Sequence, residues 1–169
     1  MLRQFFEYAR YLKPVMKLFI AALAAGALAA PLAGGLADKF GAGKVTQMGA
    51  ALVTLSFALM FMLPLLPVHA QLALIALSAI GFDLGLQSSL VAHQNLVYGL
   101  EPQARGRLNA LLFTVVFIGM SLGSVLGSKL YVLAGWNGVV TLAVITGALA
   151  LAIRLLENAR ILAAERSAS

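Results

Sequence analysis

Uncharged apolar stretches of about twenty residues alternate along the chain with short polar, glycine-containing or proline-containing breaks. Each stretch is long enough to cross a hydrocarbon core of roughly 30 Å as an α-helix. The pattern predicts five spans, at residues 17–37, 45–66, 71–97, 109–133 and 138–156. The breaks are legible as turns. Asp38 to Lys44 carries two glycines, Pro64 and Pro67 end the second span, and Gly135-Trp136-Asn137-Gly138 separates the last two. The connector after Pro67 is so short that the third span must return antiparallel beside the second. Pro102, in the charged connector Glu101 to Arg107, stands where it opens a short helix. Residues 1–16 form an amphipathic N-terminal segment and 157–169 a polar, frayed tail. The fold class expected is an all-α integral membrane protein.

Composition supports lipid as the solvent. Of 169 residues, 62% are hydrophobic and 11% charged, too few charges to cover a soluble domain of this size. A net charge of +6 invites a nucleic-acid reading, but Lys and Arg sit in short clusters between apolar runs and no basic, aromatic-interleaved face exists, so nucleic acid is excluded as a partner. The basic clusters read instead as topology signals and contacts to anionic lipid headgroups. With five alternating crossings, Lys39, Lys44, Arg105, Arg107, Arg154, Arg160 and Arg166 all fall on one side, which should be cytoplasmic. Arg3, Arg10, Lys13 and Lys17 fall on the other. Either the N-terminal segment lies in the outer interface with Phe5, Phe6, Tyr8 and Leu12, or this beginning is not native to the fold. The absence of cysteine removes disulfides, thiolate metal sites and thiol catalysis. No paired acid/base carboxylates, nucleophile elbow, phosphate loop or metal-ligand cluster is present, so an enzyme reading has no support, and no cofactor is implied.

The chemistry-bearing residue is Asp83, near the middle of the third span, where an ionised carboxylate costs several kcal/mol, about 3 on insertion scales, unless solvated or paired. Gln87 and Gln94 fall within about 40° of it around a 3.6-residue helix and complete a polar stripe. Asp83 either exchanges protons, charged in one conformation and neutral in another, or, protonated, hydrogen-bonds a neighbouring helix as packing glue. His93 lies off the stripe near the cytoplasmic end, and His69 sits in a turn. In the fourth span, Gly119, Gly123 and Gly127 recur every four residues, a surface that lets a neighbouring helix approach closely. A similar small-residue row in the first span, and the likeness of LAGGLADKFGAGK to LGSVLGSKLYVLAGW, suggest a faint internal repeat; packing need alone also produces such rows.

Gly35-Leu36-Ala37-Asp38-Lys39-Phe40-Gly41-Ala42-Gly43-Lys44 resembles the signature loop of the major facilitator superfamily, G-x-L-A-D-[RK]-x-G-[RK]-[RK]. Ala42 and Gly43 stand where that pattern usually has a basic residue, so the cationic cluster is thinner. The stretch from Asp83 through Asn95, Leu100 to Asn109, Gly119 to Gly127 and Gly135-Trp136 is similar to the last three helices of bacterial drug-efflux-type members. The resemblance covers the chain from about Pro14 onward and implies the last five of the family's twelve helices, with the first half and seventh helix absent. It implies a loop formed by Gly35, Asp38, Lys39, Gly41 and Lys44 that meets the other half, a cavity lined by the Asp83 helix, and a cytoplasmic C-terminus in a bacterial inner membrane. The function implied is proton-driven efflux of a small molecule, which requires self-association or a separate first half. The alternative is a non-transporting membrane scaffold or inactive truncated gene product.

Overall fold

The computed structural model describes residues 16–17, 20, 34–37 and 39–168, and all regular structure among them is helical. Residues 34–37 and 39–40 are helical ahead of Gly41. Then come α1, Ala42–Leu59; a 3-10 helix, Met60–Leu65; α2, Val68–Leu100; a 3-10 turn, Pro102–Ala104; and α3, Arg105–Ala168. Among the described residues, Ala42–Leu65, Val68–Leu100 and Arg105–Arg160 are long and apolar enough to cross a membrane.

Local chemistry explains the boundaries. Gly41 takes φ +85°, a value that side chains with a Cβ rarely adopt, and turns the chain into α1. Pro64 has no N–H for the Met60 carbonyl and its ring crowds that group, so the end of α1 tightens into a 3-10 helix instead of continuing as the expected span to residue 66. Pro67, extended at φ −66° and ψ 155°, leads directly into α2. That helix starts at Val68 rather than 71 and runs to Leu100 rather than 97.

Helix α3 is two arms, residues 105–134 and 136–168, broken at Gly135. Its φ of 61° and ψ of −150° lie in a region essentially reserved for glycine. The chain reverses there: a Cβ on Gly138 would stand 2.7 Å from the Leu130 carbonyl oxygen and 2.9 Å from the Ala134 Cβ. Eight residues of unbroken helix would separate Leu130 and Gly138 by about 12 Å. The 56-residue stretch Arg105–Arg160 thus folds as two arms rather than one rod of roughly 84 Å.

The expectation of a frayed tail over 157–169 is corrected: the second arm continues to Ala168. Leu, Ala, Glu and Arg dominate that stretch and are good helix formers. The segment 1–16 and the first span, 17–37, lie outside the described residues apart from the helical residues 16, 17, 20 and 34–37.

Packing centres on α1, which runs antiparallel to α2 on one side and to the second arm of α3 on the other. Gly49 and Gly85 bring α1 and α2 to backbone contact, since a Cβ on either would lie 2.6 Å from the other's carbonyl oxygen. Above them Ser56 fills the space over Gly81, and the rings of Phe57 and Phe82 meet at 5.2 Å. On the far side Thr54 Oγ1 would lie 2.7 Å from a Cβ on Gly147. Small residues drawing helices together is the packing expected where lipid removes any hydrophobic drive between helices. Five hydroxyls in the spans return to their own backbone: Thr54, Ser56, Thr114, Ser121 and Thr146 each donate to the carbonyl four residues back, at 2.7–2.9 Å. A hydroxyl satisfied this way needs no water. Large apolar side chains such as Leu122, Ile118 and Leu149 point outward, as a bilayer allows.

Candidate functional site

Asp83 is at the midpoint of α2, fifteen residues from Val68 and seventeen from Leu100, and is half-buried. It lies about 160° around the helix from Gly85, so its carboxylate is on the face turned away from α1. Gln87 and Gln94 share that face and are also half-buried. The C-terminal end of the stripe is tied down: Gln94 Nε2 donates to Asn109 Oδ1 at 3.4 Å, and the Tyr98 hydroxyl donates to the same oxygen at 2.8 Å. Asn109 is in the first turns of α3, so its side chain joins α2 to the next helix where the two are close. Higher up, Asp83 and Gln87 make no hydrogen bond or ion pair with the described residues. Packing glue from Asp83 to a described neighbour is therefore not observed. His93 donates from Nδ1 to the Ser89 carbonyl at 2.7 Å.

Of the signature-loop residues, Gly35, Lys39, Gly41 and Lys44 are placed and Asp38 lies outside the described residues. Lys39 holds its ammonium 5.4 Å from the Phe40 ring centroid, a cation–π contact, and Lys44 is exposed in the first turn of α1. Among the described residues nothing lies within 4 Å of where a Cβ would stand on Gly119, Gly123 or Gly127. The first arm of α3 meets α2 near its start and presents this row outward.

One cluster escapes the sequence pattern. Arg154, reached by the second arm of α3 at the charged end of the bundle, donates from Nε to Thr46 Oγ1 at 3.1 Å and from Nη1 to Glu157. Thr46, 1% exposed, donates its own hydroxyl hydrogen bond to the Gly43 carbonyl at 2.8 Å. Gln47 donates to the Arg154 backbone carbonyl at 3.2 Å. The first turn of α1, whose N-cap Gly41 offers no side-chain bond, is thereby fastened to the second arm of α3. Arg154 reads in sequence as one more topology charge. The available signal was its place inside an apolar run, three residues before Glu157.

Two curated proteins share part of this chain. It is 33% identical over 71 residues to "Putative uncharacterized transporter YgaY" of Escherichia coli (strain K12), and equally to "Uncharacterized transporter YgaY" of Escherichia coli O157:H7. Each match takes in 42% of this chain and 18% of the relative, so the chain spans only a small part of the relatives' length. No solved structure matches the chain. The family model described as Major Facilitator Superfamily matches residues 15–167, a range that includes the loop at 35–44, the polar stripe of α2 and both arms of α3. By a match over nearly its whole length, the chain belongs to the Major Facilitator Superfamily.

Proposed function

We propose that the chain serves transmembrane transport as one bundle of a proton-coupled carrier that exports a small molecule from the cytoplasm across a bacterial inner membrane. The observation that carries this reading is Asp83. It is a carboxylate at the midpoint of a membrane-crossing helix, half-buried, unpaired among the described residues and continued by Gln87 and Gln94 on one face. A group in that place can take a proton from one side and release it to the other when the cavity changes its opening. Loading and unloading of the substrate would follow, in antiport. The two glutamines supply neutral donors and acceptors along the same wall. Alternating access needs a second bundle across the cavity, which a second copy of this chain or a separate first half would provide. The Lys/Arg bias supports a cytoplasmic side for the C-terminus and the signature loop.

The open Gly119, Gly123 and Gly127 row supports a second reading, a membrane scaffold that docks another helical protein without transporting. The two separate in liposomes. With a proton gradient imposed, the chain, alone or with a first half supplied, moves a cationic dye, and Asp83→Asn abolishes the movement while leaving insertion unchanged. Dye movement that survives Asp83→Asn contradicts the assignment of the proton site, and no movement by either preparation favours the scaffold.

A further inference from the structure

We propose that the groove between α1 and α2 is a binding site for one acyl chain of an anionic phospholipid of the cytoplasmic leaflet, with Lys44 holding its phosphate. The proposal is independent of the transport reading.

The groove has a volume of about 530 Å³ and is lined by Met48, Leu52 and Leu55 of α1 and by Leu84 and Ser88 of α2. Gly49 and Gly85, which also line it, bring the two backbones together at its floor. Ser88 is the one polar side chain among those just named, so the occupant must be hydrocarbon where it lies in the groove. Met48 and Leu55 remain 61% and 57% exposed, so within the described chain this wall is open to an outside occupant.

Register and length then select a lipid. Residues 44, 48, 51 or 52 and 55 recur at helical spacing, so Lys44 stands on the groove-lining face of α1 one turn beyond Met48. Lys44 is exposed and in the first turn of the helix, at the end where the chain's charges gather. The rise from Lys44 to Leu55 is about 16 Å, close to half of a hydrocarbon core of roughly 30 Å. One wall therefore has a cation at headgroup level and an apolar track one leaflet deep. The first turn of α1 adds to the attraction: its N-cap makes no side-chain hydrogen bond, and a helix N-terminus favours an anion. The loop carries Lys39 and Lys44 against the single carboxylate Asp38, so its balance in sequence is cationic. A zwitterionic lipid offers the same chain without the net negative charge.

The test uses tryptophan quenching. Trp136, the only tryptophan, is replaced by Phe, and Leu52→Trp places a reporter in the groove. The protein is reconstituted in phosphatidylcholine vesicles doped with chain-brominated phosphatidylglycerol or chain-brominated phosphatidylcholine. Half-quenching is expected at a mole fraction of the brominated phosphatidylglycerol about fivefold lower, the worth of one lysine at an anionic surface. Lys44→Gln should bring the two lipids level. A Leu122→Trp reporter on the exposed first arm of α3 should be quenched equally by both throughout. Met48→Trp repeats the measurement nearer the headgroup, should Leu52→Trp disturb folding. Equal quenching by the two lipids with Lys44 present, or a preference that survives Lys44→Gln, overturns the proposal. So does a groove reporter that neither lipid quenches, because a protein segment or a second copy then fills the space.

Discussion

Two sets of glycines in this chain look alike in sequence and differ in what surrounds them. Gly49 faces the Gly85 backbone, with a carbonyl oxygen 2.6 Å from where its Cβ would be, whereas Gly123 has no described residue within 4 Å. Alanine gains up to about 1 kcal/mol over glycine in a helix by intrinsic preference. Against an immobile backbone oxygen that gain loses to overpacking, which costs about 1–3 kcal/mol. Gly49→Ala is therefore expected to lower the thermal unfolding midpoint in detergent, and Gly123→Ala to leave it unchanged or raise it. A fall with Gly123→Ala in lipid, absent in detergent, would reveal a helix seated on that row in the membrane. Legibility at this scale depended on how far each residue departs from its surroundings. Asp83 stands out because a lone carboxylate in an apolar run has few structural uses. Gly85 shares a four-residue spacing with Gly81, but nothing in that spacing names Gly49 as its partner, because their contact depends on which helices meet. Arg154 had the same difficulty, since Thr46 and Gln47 are more than a hundred residues away in sequence.

Among the elements, the break at Gly135 matters most. It is one residue wide, and helical geometry resumes on both sides of it. Any residue with a Cβ at φ 61° and ψ −150° costs about 1–3 kcal/mol. Gly135→Ala is expected to destabilise the chain by that amount, read as a lower unfolding midpoint, whereas Asn137→Ala, in helix and exposed, should change it little. An unchanged midpoint with Gly135→Ala would mean that the reversal does not depend on this backbone conformation. The sequence around Gly135-Trp136-Asn137-Gly138 marked a turn there, but not that a single residue makes it, because turn composition does not distinguish a loop from a hinge between two helices. The extension of the second arm to Ala168 went unread for a related reason: a polar, small-residue tail resembles a frayed end, although its alanines, leucine and charged residues all favour helix.

For the molecule as a whole, hydropathy carried most of the information. Long uncharged runs in lipid have no structured alternative to helices, so the all-helical fold followed from length and composition. How the helices meet depends on close contacts that hydropathy does not encode. Those contacts place the charged ends together. Arg154 reaches Thr46 at the start of α1, Gly49 lies against Gly85 and Ser89 toward the end of α2, and Gln94 and Tyr98 reach Asn109 at the start of α3. The Pro67 turn and the Gly135 break lie at the opposite end. A bundle built this way has four helical arms over residues 42–168, and a carrier mechanism centred on Asp83 presupposes that each of them crosses the bilayer.

The most direct test uses the absence of native cysteine. Single thiols introduced by Lys44→Cys, Gln103→Cys, His69→Cys and Asn137→Cys are labelled with a membrane-impermeant maleimide in sealed cells and in inside-out vesicles. The account predicts that positions 44 and 103 react only in inside-out vesicles and positions 69 and 137 only in intact cells. Labelling of 103 and 137 from the same side would contradict it, because the first arm of α3 would then not cross the membrane.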